Sequence, residues 1–469
     1  MSDSSLLQRT ALRFTHWAER WFPDAFVFAI LALLIVVLAA FANGAPVLAI
    51  SKAFGDGFWS LIPFTMQMVM VAISGYVVAV SPPVTRLINT IAAQPGSGRS
   101  AIALIASVSM LSSLLNWALS LIFSGLLVRA LARREALQMD YRAAAAAGYL
   151  GLGATWAMGL SSSAAQLQAN ASSLPAPLLA ITGVIPFSQT IFLWQSLLLT
   201  AVLLLVSMLV AWWSAPTGSS ATTAQQLGID ISEPAVVQTA PSRPGEWLEH
   251  SPLLIVFVVL LGAGWLLQEF QQKDPLLALS GLNTYNFLFL MTGMALHGRP
   301  QRFVAAVTRA VPIMGGVLIQ YPLFAGLAAV LTSAAGSDGI SLSSRVATAF
   351  VTIASTETYP LLMGAYSAIL GWFIPSGGGK WLIEAPYVMQ AAIELKVHLG
   401  WAVQIYNAAE ALPNLINPFW MLPLLGVVGL KARDIVGFTA LQLFVHLPLV
   451  LGLLWLLAGT LTYVPPLLP

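Results

Sequence analysis

Residues 99–129 read RSAIALIASVSMLSSLLNWALSLIFSGLLVR. Between the two terminal arginines, from Ser100 to Val128, stand 29 residues without a charge. One bilayer crossing takes about 20 predominantly apolar residues, so this run is long for one crossing and short for two. Arg86 and Arg99 precede it, and Arg129, Arg133, Arg134 and Arg142 follow it. Basic flanks mark the cytoplasmic side, which puts both ends on the same side. A re-entrant helical hairpin turning near Asn116-Trp117 fits both constraints; a single long tilted helix is the alternative.

The rest of the chain agrees with a membrane setting. Of 469 residues, 58% are hydrophobic and 8% charged, against roughly 25% charged in a soluble protein. Charge is also missing from 25–51, 57–85, 143–229, 310–337 and 435–469. These runs are continuous rather than alternating, which argues against a transmembrane barrel and for an all-α polytopic membrane protein. A net charge of +2, without a basic arm, gives no reason to expect a nucleic-acid partner, and the absence of cysteine excludes disulfides and thiolate metal sites. Arg9, Arg13, Glu19 and Arg20 fall where a signal peptide would be apolar. Residues 1–23 are therefore expected to form an interfacial amphipathic helix on the bilayer surface.

Residues 214–250 are rich in Ser, Thr, Gln, Gly and Pro, the composition of a flexible polar linker. They divide two hydrophobic halves, 24–213 and 251–469. Each half opens with a span (24–43; 251–270), continues with a second (58–80; 283–297) and closes with a long apolar helix (189–213; 437–462). Asp56 is expected to cap the second span. Each half also contains a broken region, LLNWALSLIFSG at 114–125 and ILGWFIPSGGG at 369–379. Matched interruptions in two halves point to a transporter's binding site. The expected fold is thus two structural repeats, each with a re-entrant hairpin and a broken transmembrane helix.

Polar groups at membrane depth mark candidate sites. Ser109, Ser113, Asn116, Ser120 and Ser124 recur at helical spacing, either lining a site near Asn116 or acting as helix-packing contacts. The Gly-rich stretch GLGATWAMGLSSSAAQLQAN (151–170) could unwind at Ser161, Ser162 and Ser163 and offer hydroxyls and amides to an anion; an ordinary loop is the alternative. In Ser376-Gly377-Gly378-Gly379-Lys380 the pattern of a nucleotide-binding loop fails, because Pro375 and Trp381 stand at required positions. The glycines suit a tight turn between half-helices. Lys380 and Glu384 are one turn apart and would neutralise each other on a helix, unless Lys380 reaches the headgroups instead. In YNAAEALPNLINPFWMLP (406–423), Asn407, Glu410, Asn414 and Asn417 share a helical face that Pro413, Pro418 and Pro423 interrupt. A carboxylate among amides on a broken helix suits a coupling cation or proton; a structural hydrogen-bond network is the alternative. The five histidines are scattered, with no metal-binding spacing.

At these motifs the chain resembles the bacterial short-chain fatty acid transporter family of the AtoE type. The likeness is strongest in PSGGGKWLIEAPYVMQAA (375–392) and EALPNLINPFWMLP (410–423), and extends to FGDGFWSLIPFTMQM (54–68) and LNWALSLIFSGLLVRALARR (115–134). The resemblance implies uptake of small carboxylates such as acetoacetate or butyrate across the inner membrane. It also implies membership of a wider superfamily of two-repeat secondary carriers that often dimerise. Carried over by position, Asn116-Trp117 and Ser376–Gly379 would be hairpin tips, with Glu410 and Asn417 on a broken helix. The chain departs from the family pattern at Lys380, Glu384 and Asn417, where histidine, glutamine and glutamine are expected.

The reading is a multi-pass secondary carrier of small monocarboxylates. Substrate would meet Asn116, Ser161, Ser162, Ser163, Ser376, Gly377, Gly378, Gly379, Lys380 and Asn417. Coupling to Na⁺ or H⁺ would run through Glu410, Asn407 and Asn414, and no organic cofactor is expected. A membrane-embedded enzyme using Glu410 and the serines, acting on lipid or another small substrate, is the rival class; a receptor that binds without transport is a third.

Overall fold

The computed structural model describes residues 25–60, 62–232, 243–373 and 377–466. The expected surface helix 1–23, Ser376 and the linker residues 233–242 lie outside them. Apart from an isolated bridge between Ala335 and Ser341, regular structure among the described residues is helical. That is what continuous apolar runs must do where water cannot satisfy their backbone.

The first half begins with α1 (Ala25–Ala42), α2 (Val47–Ser60), α3 (Ile62–Ala79) and the amphipathic α4 (Pro82–Ala92). Asp56 does not cap a span: it lies inside α2 and pairs with Lys52 one turn away. There follow α5 (Gly98–Leu115) and α6 (Trp117–Ala132), then α7 (Tyr141–Leu150), a π-turn over Gly151–Thr155, a short 3₁₀ turn, α8 (Ser163–Gln168) and the long α9 (Trp194–Ser214). The second half comprises α10 (Pro252–Gln272), α11 (Leu282–His297), the amphipathic α12 (Pro300–Ala310) and α13 (Gly315–Ser333). After a further helix, Leu342–Ile353, it continues with α14 (Tyr359–Phe373), α15 (Gly377–Glu394), α16 (Leu399–Asn414), α17 (Pro418–Val428) and α18 (Ala432–Ala458). Among the described residues five helices are long and apolar enough to cross a bilayer: α3, α5, α9, α10 and α18. The outer face of α10 leaves Leu253, Phe257, Leu260 and Leu261 exposed, a surface suited to lipid rather than water.

The opening stretch folds as a hairpin. Asn116 is extended (φ −157°, ψ 123°) between α5 and α6. The two arms then run side by side, with Ser120 Oγ donating to Ser109 O at 2.7 Å. The turn is sealed by side chains. Asn116 Oδ1 accepts from Ala118 N and Leu119 N, both at 2.9 Å, and Leu115 O accepts from Tyr285 Oη at 2.5 Å. The second pair, α14 and α15, also folds back: Tyr359 Oη donates to Val388 O at 2.8 Å, and Tyr366 and Tyr387 hydroxyls meet at 2.8 Å.

Beyond the Tyr285–Leu115 bond, two seams among those that join the halves stand out. The closing helices α9 and α18 share a buried network: Ser207 Oγ meets His446 Nε2 at 2.8 Å, and Gln442 Nε2 donates to Ser207 O at 2.9 Å. His446 Nδ1 lies 2.7 Å from Gln442 O, so that nitrogen carries the proton and Ser207 donates to Nε2. At the other seam, Arg129 at the end of α6 donates to Val427 O (3.1 Å), Asp230 O (2.9 Å) and Ser232 O (3.0 Å). Arg133 adds Ile231 O at 3.0 Å, and Asp140 Oδ2 accepts from Thr222 N at 2.9 Å. The first part of the linker, which composition reads as flexible, is therefore a strap across the ends of α6, α7 and α17.

Candidate functional site

Two helices break where the hairpin turns converge. In the first half, α7 passes into the π-turn and ends before Gly159, whose backbone lies against Leu114: a Cβ there would come within 2.4 Å of Leu114 Cα. Leu160 N donates to Leu114 O at 2.7 Å. This close approach carries Ser161 and Ser162 past the first turn in non-helical backbone and brings Ser163 to the first position of α8.

Each serine faces a different element. Ser161 Oγ accepts from Trp117 N at 3.1 Å, at the first hairpin turn. Ser162 Oγ donates to Asn407 Oδ1 at 3.1 Å, on α16. Ser163 lies beside Gly378 of α15, where an added Cβ would stand 3.2 Å from the serine Cβ and 2.5 Å from Phe64 Cζ. Its neighbour Gly377 is pressed against Trp156, with only 2.3 Å for a Cβ. The triple serine thus joins both hairpins and the second broken helix in one buried cluster. Gln166, one turn on from Ser162 and fully buried, has neither side-chain polar atom paired among the described residues.

A turn deeper in α15 sits the charged part. Lys380 and Glu384 form the expected i,i+4 pair, with Nζ to Oε1 at 2.7 Å and both side chains fully buried. Glu410 on α16 joins them, its Oε2 2.8 Å from the same ammonium. Ser367 on α14 accepts from Lys380 through its carbonyl (2.9 Å) and its Oγ (2.7 Å), and its hydroxyl donates to Glu384 Oε1 at 3.2 Å. The Tyr406 ring lies beneath the ammonium at 4.3 Å, a cation–π distance, and its hydroxyl donates to Gly377 O at 2.5 Å. Three ionisable groups held out of water are tolerable only with partners of this kind.

Of the residues anticipated from sequence, Ser161, Ser162, Ser163, Gly377, Gly378, Asn407, Lys380 and Glu410 come together in this cluster. Asn116 lies beside it, its amide engaged in capping α6 and in a bond to Val71 O at 3.3 Å. Gly379 is buried in α15 between Gly378 and Lys380. Asn414 ends α16, with its carbonyl bonded to Tyr149 Oη at 2.7 Å. Asn417 occupies the break between α16 and α17, where Pro418 starts a new helix; its amide bonds Asn414 O at 3.2 Å. Ser376 lies outside the described residues. Sequence reasoning missed Ser367, Trp156, Tyr406 and Gln166 as members. Gln166 and Trp156 carried a signal by falling within the Gly-rich stretch 151–170, and Tyr406 by opening the stretch 406–423; Ser367 carried none.

The model of the family described as Short chain fatty acid transporter matches residues 6–457. A protein named as a short-chain fatty acid transporter in Escherichia coli (strain K12) is 30% identical over 452 residues, 96% of this chain and 99% of that one. Another so named, from Haemophilus influenzae, is 27% identical over 96% of this chain and all of its own. Among solved structures, the Alcanivorax borkumensis YdaH transporter superposes with a TM-score of 0.54 at 15% identity, over 93% of this chain and 98% of that one. Neisseria gonorrhoeae MtrF does so at 0.51 and 14% identity, over 97% and 98%. These structural likenesses concern the fold alone.

Proposed function

The chain belongs to the short-chain fatty acid transporter family, and we propose that it is a secondary carrier. It moves small monocarboxylates such as acetoacetate and butyrate across the bacterial inner membrane by alternating access. Transport is coupled to a proton or sodium gradient, and the carrier works as a homodimer. The observation that carries this reading is the triple serine, which binds both hairpins and the second broken helix at one point. A ligand there touches every element whose rearrangement could open one side and close the other.

In this reading the substrate carboxylate is met by the hydroxyls of Ser161, Ser162 and Ser163 and by Gln166, beside Gly377–Gly379 at the start of α15. Asn116 and Asn417 frame the two sides, and Lys380 supplies positive charge from below. Glu410, with Asn407 and Asn414 on the same helix, carries the coupling. The test is counterflow in proteoliposomes: labelled acetoacetate outside should accumulate transiently against unlabelled acetoacetate inside, above protein-free vesicles. Absence of counterflow would overturn the reading, and product formation in detergent would favour a membrane enzyme.

A further inference from the structure

We propose that Lys380 is the carrier's own resident cation and that the coupling ion is a proton held by Glu410, not sodium. The inference rests on the transport reading above and names its coupling ion.

An ε-ammonium has three N–H groups. Those of Lys380 go to Ser367 O, Ser367 Oγ and Glu384 Oε1, at 2.9, 2.7 and 2.7 Å. Glu410 Oε2 is 2.8 Å from the same nitrogen but outside hydrogen-bond alignment. Neither Glu410 oxygen has a hydrogen-bond partner among the described residues. The ammonium therefore sits in a shell of four oxygens drawn from α14, α15 and α16, with the Tyr406 ring closing a further side. A dehydrated monovalent cation would need such a shell, and the chain fills it with its own amine. A sodium ion added there would stand at contact distance from a like charge.

The charge count then selects the proton. One ammonium and two carboxylates leave a surplus of one negative charge in a cluster that is 0–1% exposed. A bare surplus charge at that depth is expensive, and one proton removes it. Glu384 is held as the anion by two hydrogen bonds to Oε1, from Lys380 and Ser367, with Oε2 left without one among the described residues. Glu410 is left as the group whose charge can change. On one side hydronium gives its proton to one Glu410 oxygen, an O–H bond of the hydronium breaking as the carboxyl O–H forms and water being left. On the other side the carboxyl O–H breaks and water takes the proton as hydronium, with no redox change.

The other titratable groups around the cluster are tyrosines: Tyr359 and Tyr366 on α14, Tyr387 on α15, Tyr406 on α16 itself, Tyr321 on α13 and Tyr149 on α7. Tyr359, Tyr406 and Tyr149 donate to backbone carbonyls, and Tyr366 and Tyr387 bond each other. On α18, His446 is turned to Ser207 and Gln442. None of these takes over the surplus charge. Asn407, one turn before Glu410, bonds Ser162. An anion at the serines and a proton on Glu410 thus compensate each other's charge a turn apart, which makes their binding mutually favourable.

The test uses the full-length protein in proteoliposomes with labelled acetoacetate, subtracting protein-free vesicles. Wild type should accumulate label under an inward proton gradient. With pH and voltage clamped, an inward sodium gradient should change uptake less than twofold. In Glu410→Gln, which keeps the Lys380–Glu384 pair, the ratio of proton-driven accumulation to counterflow should fall at least tenfold. Accumulation driven by sodium, or an unchanged ratio in Glu410→Gln, would overturn the inference while leaving the transport reading intact. Loss of counterflow in wild type would instead defeat the transport reading. In Lys380→Gln the emptied shell should make counterflow depend on sodium or potassium; if that variant does not fold, the first two arms still decide.

Discussion

Ser162 and Asn407 lie 245 positions apart in the chain, yet the serine hydroxyl donates to the asparagine carbonyl at 3.1 Å. Asn407 in turn donates to Gln404 Oε1 at 2.6 Å, so the serine fixes which way its amide faces. The bond ties the broken segment of one half to that of the other.

Ser162→Ala leaves Asn407 Oδ1 buried without that donor, at a cost of about 1–3 kcal/mol. In a double-mutant cycle with Asn407→Leu, the coupling energy from unfolding in detergent should be about 0.5–1.5 kcal/mol. A coupling near zero would mean that the two side chains do not depend on one another.

Gly377→Ala should lower stability by about 1–3 kcal/mol, because the new methyl meets the Trp156 ring in a packed interior. Trp156→Phe removes the ring atoms in the way, so the double variant should recover most of the loss. Thermal unfolding of the three variants checks this, and equal losses in the single and double variants would contradict it.

Lys380→Met strands two buried carboxylates and should cost about 3–5 kcal/mol. Neutralising both, in Lys380→Met/Glu384→Gln/Glu410→Gln, should restore most of it, since no buried charge is left without a partner. Melting temperatures in one detergent, side by side, give the answer.

Arg129→Ala removes three carbonyl contacts that hold the strap and α17 to α6. Protease cleavage between Thr217 and Ser232 should then speed up at least tenfold, a loss of about 1.4 kcal/mol of docking or more. Within the strap, the Ser232 backbone N–H and then its hydroxyl hold the Asp230 carboxyl below the usual carboxylate range. A depressed value makes that contribution fully present above about pH 4 and lost only as pH falls through the lower, folded-state value. Cleavage, corrected for the protease's own profile, should therefore be flat from about pH 5 to 8. A change in that range would show another titrating group in the strap.

Local features were legible and distant pairings were not. The first hairpin could be read because run length and flanking arginines are local quantities, and the turn falls at Asn116. The Lys380–Glu384 pair followed from a four-residue spacing, and the face shared by Asn407, Glu410 and Asn414 from helical periodicity. That Glu410 would meet Lys380 was not in any spacing, because it depends on how α16 packs against α14 and α15. Ser367 was invisible for the same reason: within LMGAYSAILGW it looks like any small residue on an apolar helix. The docking of residues 222–232 was not legible in the linker's composition, because the groups that hold them belong to α6 and the start of α7.

The Ser207–His446–Gln442 network bears on what can move. Its hydrogen bonds lie between α9 and α18 with all three side chains buried, so sliding one helix past the other would break them together. One helix comes from each half, which makes this pair a shared stator rather than a hinge. Spin labels on α9 and α18 should hold a fixed separation through the transport cycle. Labels on the hairpin arms should change theirs relative to that frame.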